Sequence, residues 1–182
     1  MFHIFVNMII YLVRHAQTKA NLGGTEQIVT PAGLKQIECV AKVIPQVEAV
    51  YSSNQHRALI TAEFIAKINK VPVIQNPDLQ EIYACIIGGS TENLNTTRMK
   101  SDKRRASKMF KFIKGLKHNT VAIVCHGNII RFFMARAVGL PLQKMWRFDI
   151  QNCSITTLRI IDDVVDILSV NDTTGRLQKK II

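Results

Sequence analysis

Two histidines stand at the ends of apolar runs: His15 after Leu12-Val13-Arg14, and His126 after Val124-Cys125 and before Gly127. An imidazole can serve as nucleophile or proton carrier near neutrality, because its ordinary pKa is about 6.5. Arg14 adjoins the first histidine, and Arg57 follows Tyr51-Ser52-Ser53. Guanidinium forks grip phosphoryl oxygens in pairs and keep their charge at any relevant pH. One histidine at a strand end is more often a satisfied turn residue, but two in equivalent positions beside two arginines point to phosphate chemistry. The same histidines could hold zinc, yet catalytic zinc usually takes three protein ligands, and Arg14 would repel the cation. No metal and no cofactor is therefore expected. Cys125 offers a thiolate alternative, but no glycine-bearing loop ending in arginine follows it, so it reads as a small apolar filler.

These residues need a scaffold that brings strand ends together. Residues 8–13 form a continuous run rich in Ile, Tyr and Val, the pattern of a strand buried on both faces. Thr30-Pro31 reads as an N-cap with proline at the first helical position, followed by Leu34, Ile37, Ala41 and Ile44 at helical spacing. A short strand is expected near 49–52, a helix over about 55–68 and a strand near 71–75. Ala106, Met109, Phe110, Ile113 and Leu116 form the apolar stripe of a basic helix. Residues 120–125 make a second buried strand, 128–138 a helix ended by Gly139-Leu140-Pro141, and 154–170 a hairpin turning at Asp162-Asp163. Such alternation predicts an α/β sandwich with a mostly parallel sheet, in which ligands gather at the carboxyl ends of strands.

Leu12-Val13-Arg14-His15-Ala16-Gln17-Thr18, with Asn21 beyond it, resembles the signature of the histidine phosphatase (phosphoglycerate mutase-like) superfamily, with Ala16 where the family has glycine. Ser52-Ser53-Asn54-Gln55-His56-Arg57-Ala58, then Thr61-Ala62, is similar to the second block of that family. Leu79-Gln80-Glu81-Ile82 resembles the block that supplies its proton donor, and Val124-Cys125-His126-Gly127, then Ile130-Arg131, the block with its second histidine. Asn152-Cys153-Ser154-Ile155 is similar to a late segment of the family. The likeness spans about residues 8–170 and leaves out only 85–116. It implies a single domain over 1–182, a three-layer α/β/α sandwich, and a short basic insertion at about 85–117. It also implies His15 as nucleophile, Glu81 as acid and base, and His126 as a protonated partner. Arg14, Asn21, Arg57 and the Gly127 N–H would hold the phosphate, and hydrolysis of monoesters would run through a phosphohistidine.

Two other readings have distinct signatures. A cofactor-dependent phosphoglycerate mutase shares the core but carries a larger insertion after the Glu81 block, whereas only about residues 82–119 separate that block from the second histidine here. A non-catalytic anion-binding protein on the same fold would use the basic helix, where nine basic residues and one acid lie between Arg98 and Lys117. Such a run suits acidic partners, but Phe110 and Phe112 are its sole aromatics and Phe110 belongs to the apolar stripe, which speaks against nucleic acid. The expected partner is a phosphorylated small molecule or a phosphoprotein. With 47% hydrophobic and 20% charged residues, the chain has the balance of a folded globule. Its first 13 residues are too short to span a bilayer and lack the marks of a signal peptide. Cys39, Cys85, Cys125 and Cys153 show neither paired nor metal-like spacing, so free thiols and a cytoplasmic setting are expected.

Overall fold

Strand β1 (Asn7–Arg14) distributes its side chains between two apolar cores: Met8, Ile10 and Leu12 pack into one, Tyr11 and Val13 into the other. A strand covered on both faces requires an unbroken apolar run, which residues 8–13 supply. The computed structural model describes residues 7–25, 27–82 and 96–175. The start of the apolar segment before Asn7, the glycine-containing loop after Ile82, and Cys85 lie outside them.

The sheet also contains β2 (Ala49–Ser52), β3 (Val73–Gln75), β4 (Thr120–Cys125), β5 (Ile155–Ile161) and β6 (Val164–Asp172), in the order β3-β2-β4-β1-β5-β6. Pairings β1–β4, β2–β4 and β2–β3 are parallel, while β1–β5 and β5–β6 are antiparallel. The parallel part thus carries the expected hairpin on one side, with Asp162 in the left-handed region at its turn (φ 53°), a conformation in which Asp is enriched. Strand β3 begins at Val73 rather than 71, because Lys70 closes the preceding helix in the left-handed region and the Val71 N–H still bonds back to Ala66 O.

Helices α1 (Pro31–Val43) and α2 (His56–Asn69) cover one face through Ile37, Val40, Ala41, Ala58, Ala62 and Ile65. Helices α3 (Thr96–Lys114) and α4 (Gly127–Ala137) cover the other through Ala106, Met109, Ile113, Ile130 and Phe133. This makes three layers, with the basic face of α3 turned to solvent at Lys100, Lys103, Arg104 and Lys111. At the start of α1, Thr30 Oγ1 accepts the Gly33 N–H, the N-cap bond that its residue type favours. Gly33 itself lies so close to the loop after β1 that a Cβ there would collide with Gln17 O and stand 2.8 Å from Val29 Cγ1. Among the described residues, no helix is long and apolar enough to cross a membrane.

Register decides where the histidines meet. Arg14 pairs with Cys125, and Ser52 with Val124, so His15, His126 and Ser53 leave the sheet side by side at the carboxyl ends of their strands.

Candidate active site

Backbone hydrogen bonds extend the sheet one step into the loops: the His15 N–H donates to Cys125 O (2.9 Å), and the Ser53 N–H to Val124 O (3.0 Å). The His15 ring is then fixed by its own neighbour, with Nδ1 2.7 Å from Ala16 O. A carbonyl can only accept, so Nδ1 carries the hydrogen and Nε2 carries the lone pair. Arg57, on the first turn of α2, donates its Nε–H to that Nε2 at 3.2 Å. Thr61, one turn later, accepts the Ala16 N–H (3.1 Å) and donates to Arg57 O (3.1 Å), tying the nucleophile loop to the helix that carries the arginine. Asn152 Nδ2 holds His15 O at 2.8 Å. Burial, opposed by the Ala16 carbonyl and assisted by the Arg57 and Arg14 charges, pushes the His15 pKa down to about 3.

His126 packs against His15 with ring centroids 5.1 Å apart, and its Nε2 lies 2.9 Å from Ser53 Oγ. From the sequence, a protonated His126 is expected beside a bound phosphoryl group. Without an anion in the pocket, burial first, then His15, Arg57, Arg14 and Arg105, pushes its pKa down to about 2. Ser53 Oγ also accepts the Gln55 N–H at 3.2 Å, so the hydroxyl links the start of α2 to the His126 ring. The Nδ1 of that ring is buried without a protein partner, as is Arg14 Nε. Leaving a buried polar group unpaired typically costs about 1–3 kcal/mol, a cost that the oxygens of a bound anion would remove. The far end of the Arg14 guanidinium is anchored on Ile150 O. Gly127 keeps the space between: a Cβ there would lie 3.5 Å from Arg14 Nε and 3.1 Å from Arg131 Nη1.

Glu81 approaches from beyond β3 and behaves differently from a solvated loop carboxylate. Its Oε1 accepts the N–H groups of Ile82 (3.1 Å), Asn128 (3.1 Å) and Ile129 (3.2 Å). Its carboxyl thus serves the open N-terminus of α4, whose own N-cap, His126, makes no capping bond. Burial nevertheless raises its pKa, against these N–H bonds and the attraction of Arg14. Asn21 lies further out: its Oδ1 accepts from the Thr18 N–H (2.9 Å) and hydroxyl (3.1 Å), shaping the loop. Cys125 is fully buried and its thiol is pushed up by burial, consistent with a filler.

The structure therefore gathers His15, Arg14, Arg57, His126, Gly127 and Glu81 around one point, with Asn21 at the rim. Sequence reasoning assigned no task to Ser53, Thr61, Arg131 or Asn152, although each stands inside or beside a matched segment. Their bonds run mostly to backbone groups distant in the chain, which no short pattern reveals. Beside the His15 loop lies a cavity of about 550 Å³ lined by Arg14, Gln17, Lys35, Asp149, Asn152 and Thr173 among others. His15, Arg57, Glu81 and His126 are not among its walls.

The chain matches the family model of the histidine phosphatase superfamily (branch 1) over residues 10–102 and 90–173. It is 22% identical over 194 aligned residues to the adenosylcobalamin/alpha-ribazole phosphatase of Escherichia coli, covering 85% of this chain and 96% of that one. It is 26% identical to the mitochondrial serine/threonine-protein phosphatase Pgam5 of Caenorhabditis elegans, covering 83% of this chain and 57% of that one. Among solved structures, a phosphoglycerate mutase from Bacillus anthracis superposes with a TM-score of 0.75 at 16% identity, covering 98% of both chains. That last likeness carries the fold.

Proposed function

This chain belongs to the histidine phosphatase superfamily, an assignment that makes it an enzyme hydrolysing phosphate esters, and from that premise we propose that His15 Nε2 is its phosphoryl acceptor. The observation that carries the reading is the Ala16 carbonyl on His15 Nδ1, which leaves the Nε2 lone pair on the side of Arg57. In the first step Nε2 forms a bond to phosphorus while the ester P–O bond breaks, and Glu81 gives its proton to the departing oxygen. In the second step water attacks the phosphohistidine, the P–N bond breaks, and the water proton passes to Glu81. Splitting one displacement into two is nucleophilic catalysis.

Phosphate binding has to draw the Arg57 Nε–H from the His15 lone pair onto a phosphoryl oxygen, so the substrate itself unmasks the nucleophile. Arg14 Nε, the His126 ring at its unpartnered Nδ1 and the Gly127 N–H supply further contacts for the phosphoryl oxygens. Loss of one preorganised donor typically lowers the rate by roughly a hundred- to a thousandfold. Asn21 acts at the rim, keeping the loop after His15 in shape. The organic part of the substrate is a phosphorylated small molecule or a phosphoprotein side chain. The reading places residues 1–182 in one domain with its basic insertion at about 85–117, and the reduced thiols in a cytoplasmic setting.

The test is His15→Ala assayed on an aryl phosphate, together with denaturing-quench trapping of labelled enzyme. Turnover should vanish, along with label that is stable to base and labile to acid. Full turnover in that variant would overturn the assignment.

A further inference from the structure

Arg105 belongs to the basic helix α3 but turns away from its solvent-facing charges: its side chain is 19% exposed and that of its ion-pair partner Asp102 13%. Nη1 donates to Asp78 O and Gln80 O, both at 2.8 Å, while Nη2 donates to Glu81 O at 3.1 Å and to Asp102 Oδ1 at 3.0 Å. Asp102, Arg105 and Met109 recur at helical spacing, so they share one face. That face meets the 3₁₀ turn Pro77–Leu79, where Met109 Sδ also accepts from Asn76 Nδ2 at 3.5 Å. Residues 80–82 lie in neither helix nor strand, so their carbonyls have no ladder partners. One planar guanidinium fixes three carbonyls of the segment, a task beyond the single ammonium of lysine.

The same segment is held from the other side by α4, where Asn128 Nδ2 donates to Ile82 O at 3.2 Å and the helix N–H groups receive the Glu81 carboxylate. Residue 81 is thus gripped through its backbone by α3 and through its side chain by α4. A proton donor must lie within about 2.6–3.2 Å of the oxygen it serves, so the backbone that bears it must not drift.

We infer that Arg105 is a positioning residue for catalysis, setting the backbone from which Glu81 delivers its proton, rather than part of an anion-docking surface. The inference rests on Glu81 as the proton donor. It gives the basic insertion a task inside the reaction: one of its cations is committed inward, and the stripe facing solvent is separate from it.

The experiment compares kcat/KM, which reports phosphoryl transfer to the enzyme, on phenyl phosphate and on 2,4-dinitrophenyl phosphate. Phenolate needs a proton to leave and dinitrophenolate does not. Glu81→Gln should lose about a hundredfold or more on phenyl phosphate and at most about threefold on the dinitrophenyl ester. Arg105→Lys and Arg105→Gln should lose about tenfold or more on phenyl phosphate alone, since small misplacements of reacting groups can cost up to about a hundredfold. Arg104→Gln, which removes an exposed charge one residue away, should leave both rates unchanged. Equal losses on both esters in the Arg105 variants, or no loss on either, would overturn the inference while leaving the Glu81 assignment standing. A Glu81→Gln variant that fails to distinguish the esters would overturn the proton-donor reading and the inference together. Should Arg105→Gln not fold, Asp102→Asn, which keeps the guanidinium but weakens its anchor, must show the same selective loss.

Discussion

Acid should weaken this protein through the two site histidines, by an amount that follows from their burial. In the unfolded chain each titrates near about 6.5, whereas in the folded protein His15 is held at about 3 and His126 at about 2. Depressed folded values mean that the unfolded state binds more protons between these limits. The favourable balance is therefore complete above the unfolded pKa and is lost as pH falls from about 6.5 toward 3. At 1.36 kcal/mol per unit, lowering the pH from about 7.5 to about 5 removes about 2 kcal/mol for each histidine. Urea unfolding of the wild type, His15→Gln and His126→Gln at both pH values reads this effect directly, because titrating groups that do not touch the substituted histidine cancel in the difference. Each variant should lose about 2 kcal/mol less than the wild type over that range. Identical losses, or an imidazole resonance of either histidine titrating near neutrality, would refute the reasoning. The chemical corollary is that unprotonated His15 persists in mild acid, so the acid limb of kcat/KM should follow the second ionisation of the substrate phosphate, near about 6.

Three further substitutions probe the scaffold. Thr61→Val leaves the Ala16 N–H without its buried acceptor and should cost about 1–3 kcal/mol in denaturant unfolding, with a fall in kcat as the His15 loop relaxes. Gly127→Ala puts a methyl group 3.1 Å from Arg131 Nη1, into the space beside Arg14 Nε; inhibition by inorganic phosphate should weaken at least about tenfold, the equivalent of 1.4 kcal/mol, with little change in thermal stability. Gly33→Ala drives a methyl group onto Gln17 O and should destabilise by about 1–3 kcal/mol through overpacking, lowering activity although the residue is distant from the phosphate.

The two site histidines were visible because each sits at the end of a strongly patterned strand. Met8 to Val13 and Val121 to Cys125 are apolar without a break, so His15 and His126 announce themselves as strand-end residues. The hairpin at Asp162-Asp163 was legible for the same reason, since alternation and turn chemistry are local. What escaped was long-range: Asn152 reaches His15 O across 137 positions, and Ser53 reaches His126 across 73. The low pKa of His126 was also out of reach, because it comes from burial and from arginines brought in by separate elements. Glu81 was picked out as acid and base through the resemblance alone, and its place on the N-terminus of α4 depends on a tertiary approach that neither segment encodes alone. Arg105 was hidden in a run of cations from which sequence gives no means to single it out.

The order of strands has a consequence for synthesis. Strand β1 has no direct pairing with β2, for β4 lies between them, and Ile9 finds its parallel partner only at Thr120. A ribosome adding about 5–20 residues per second leaves β1 waiting roughly 5–20 s for that partner. Throughout that interval β1 lacks the strand that covers its parallel edge, and an open apolar edge of this kind favours association with other chains. Because His126 follows β4 and Asn152, which holds His15 O, precedes β5, the site can be complete only after the chain beyond residue 152 has been made.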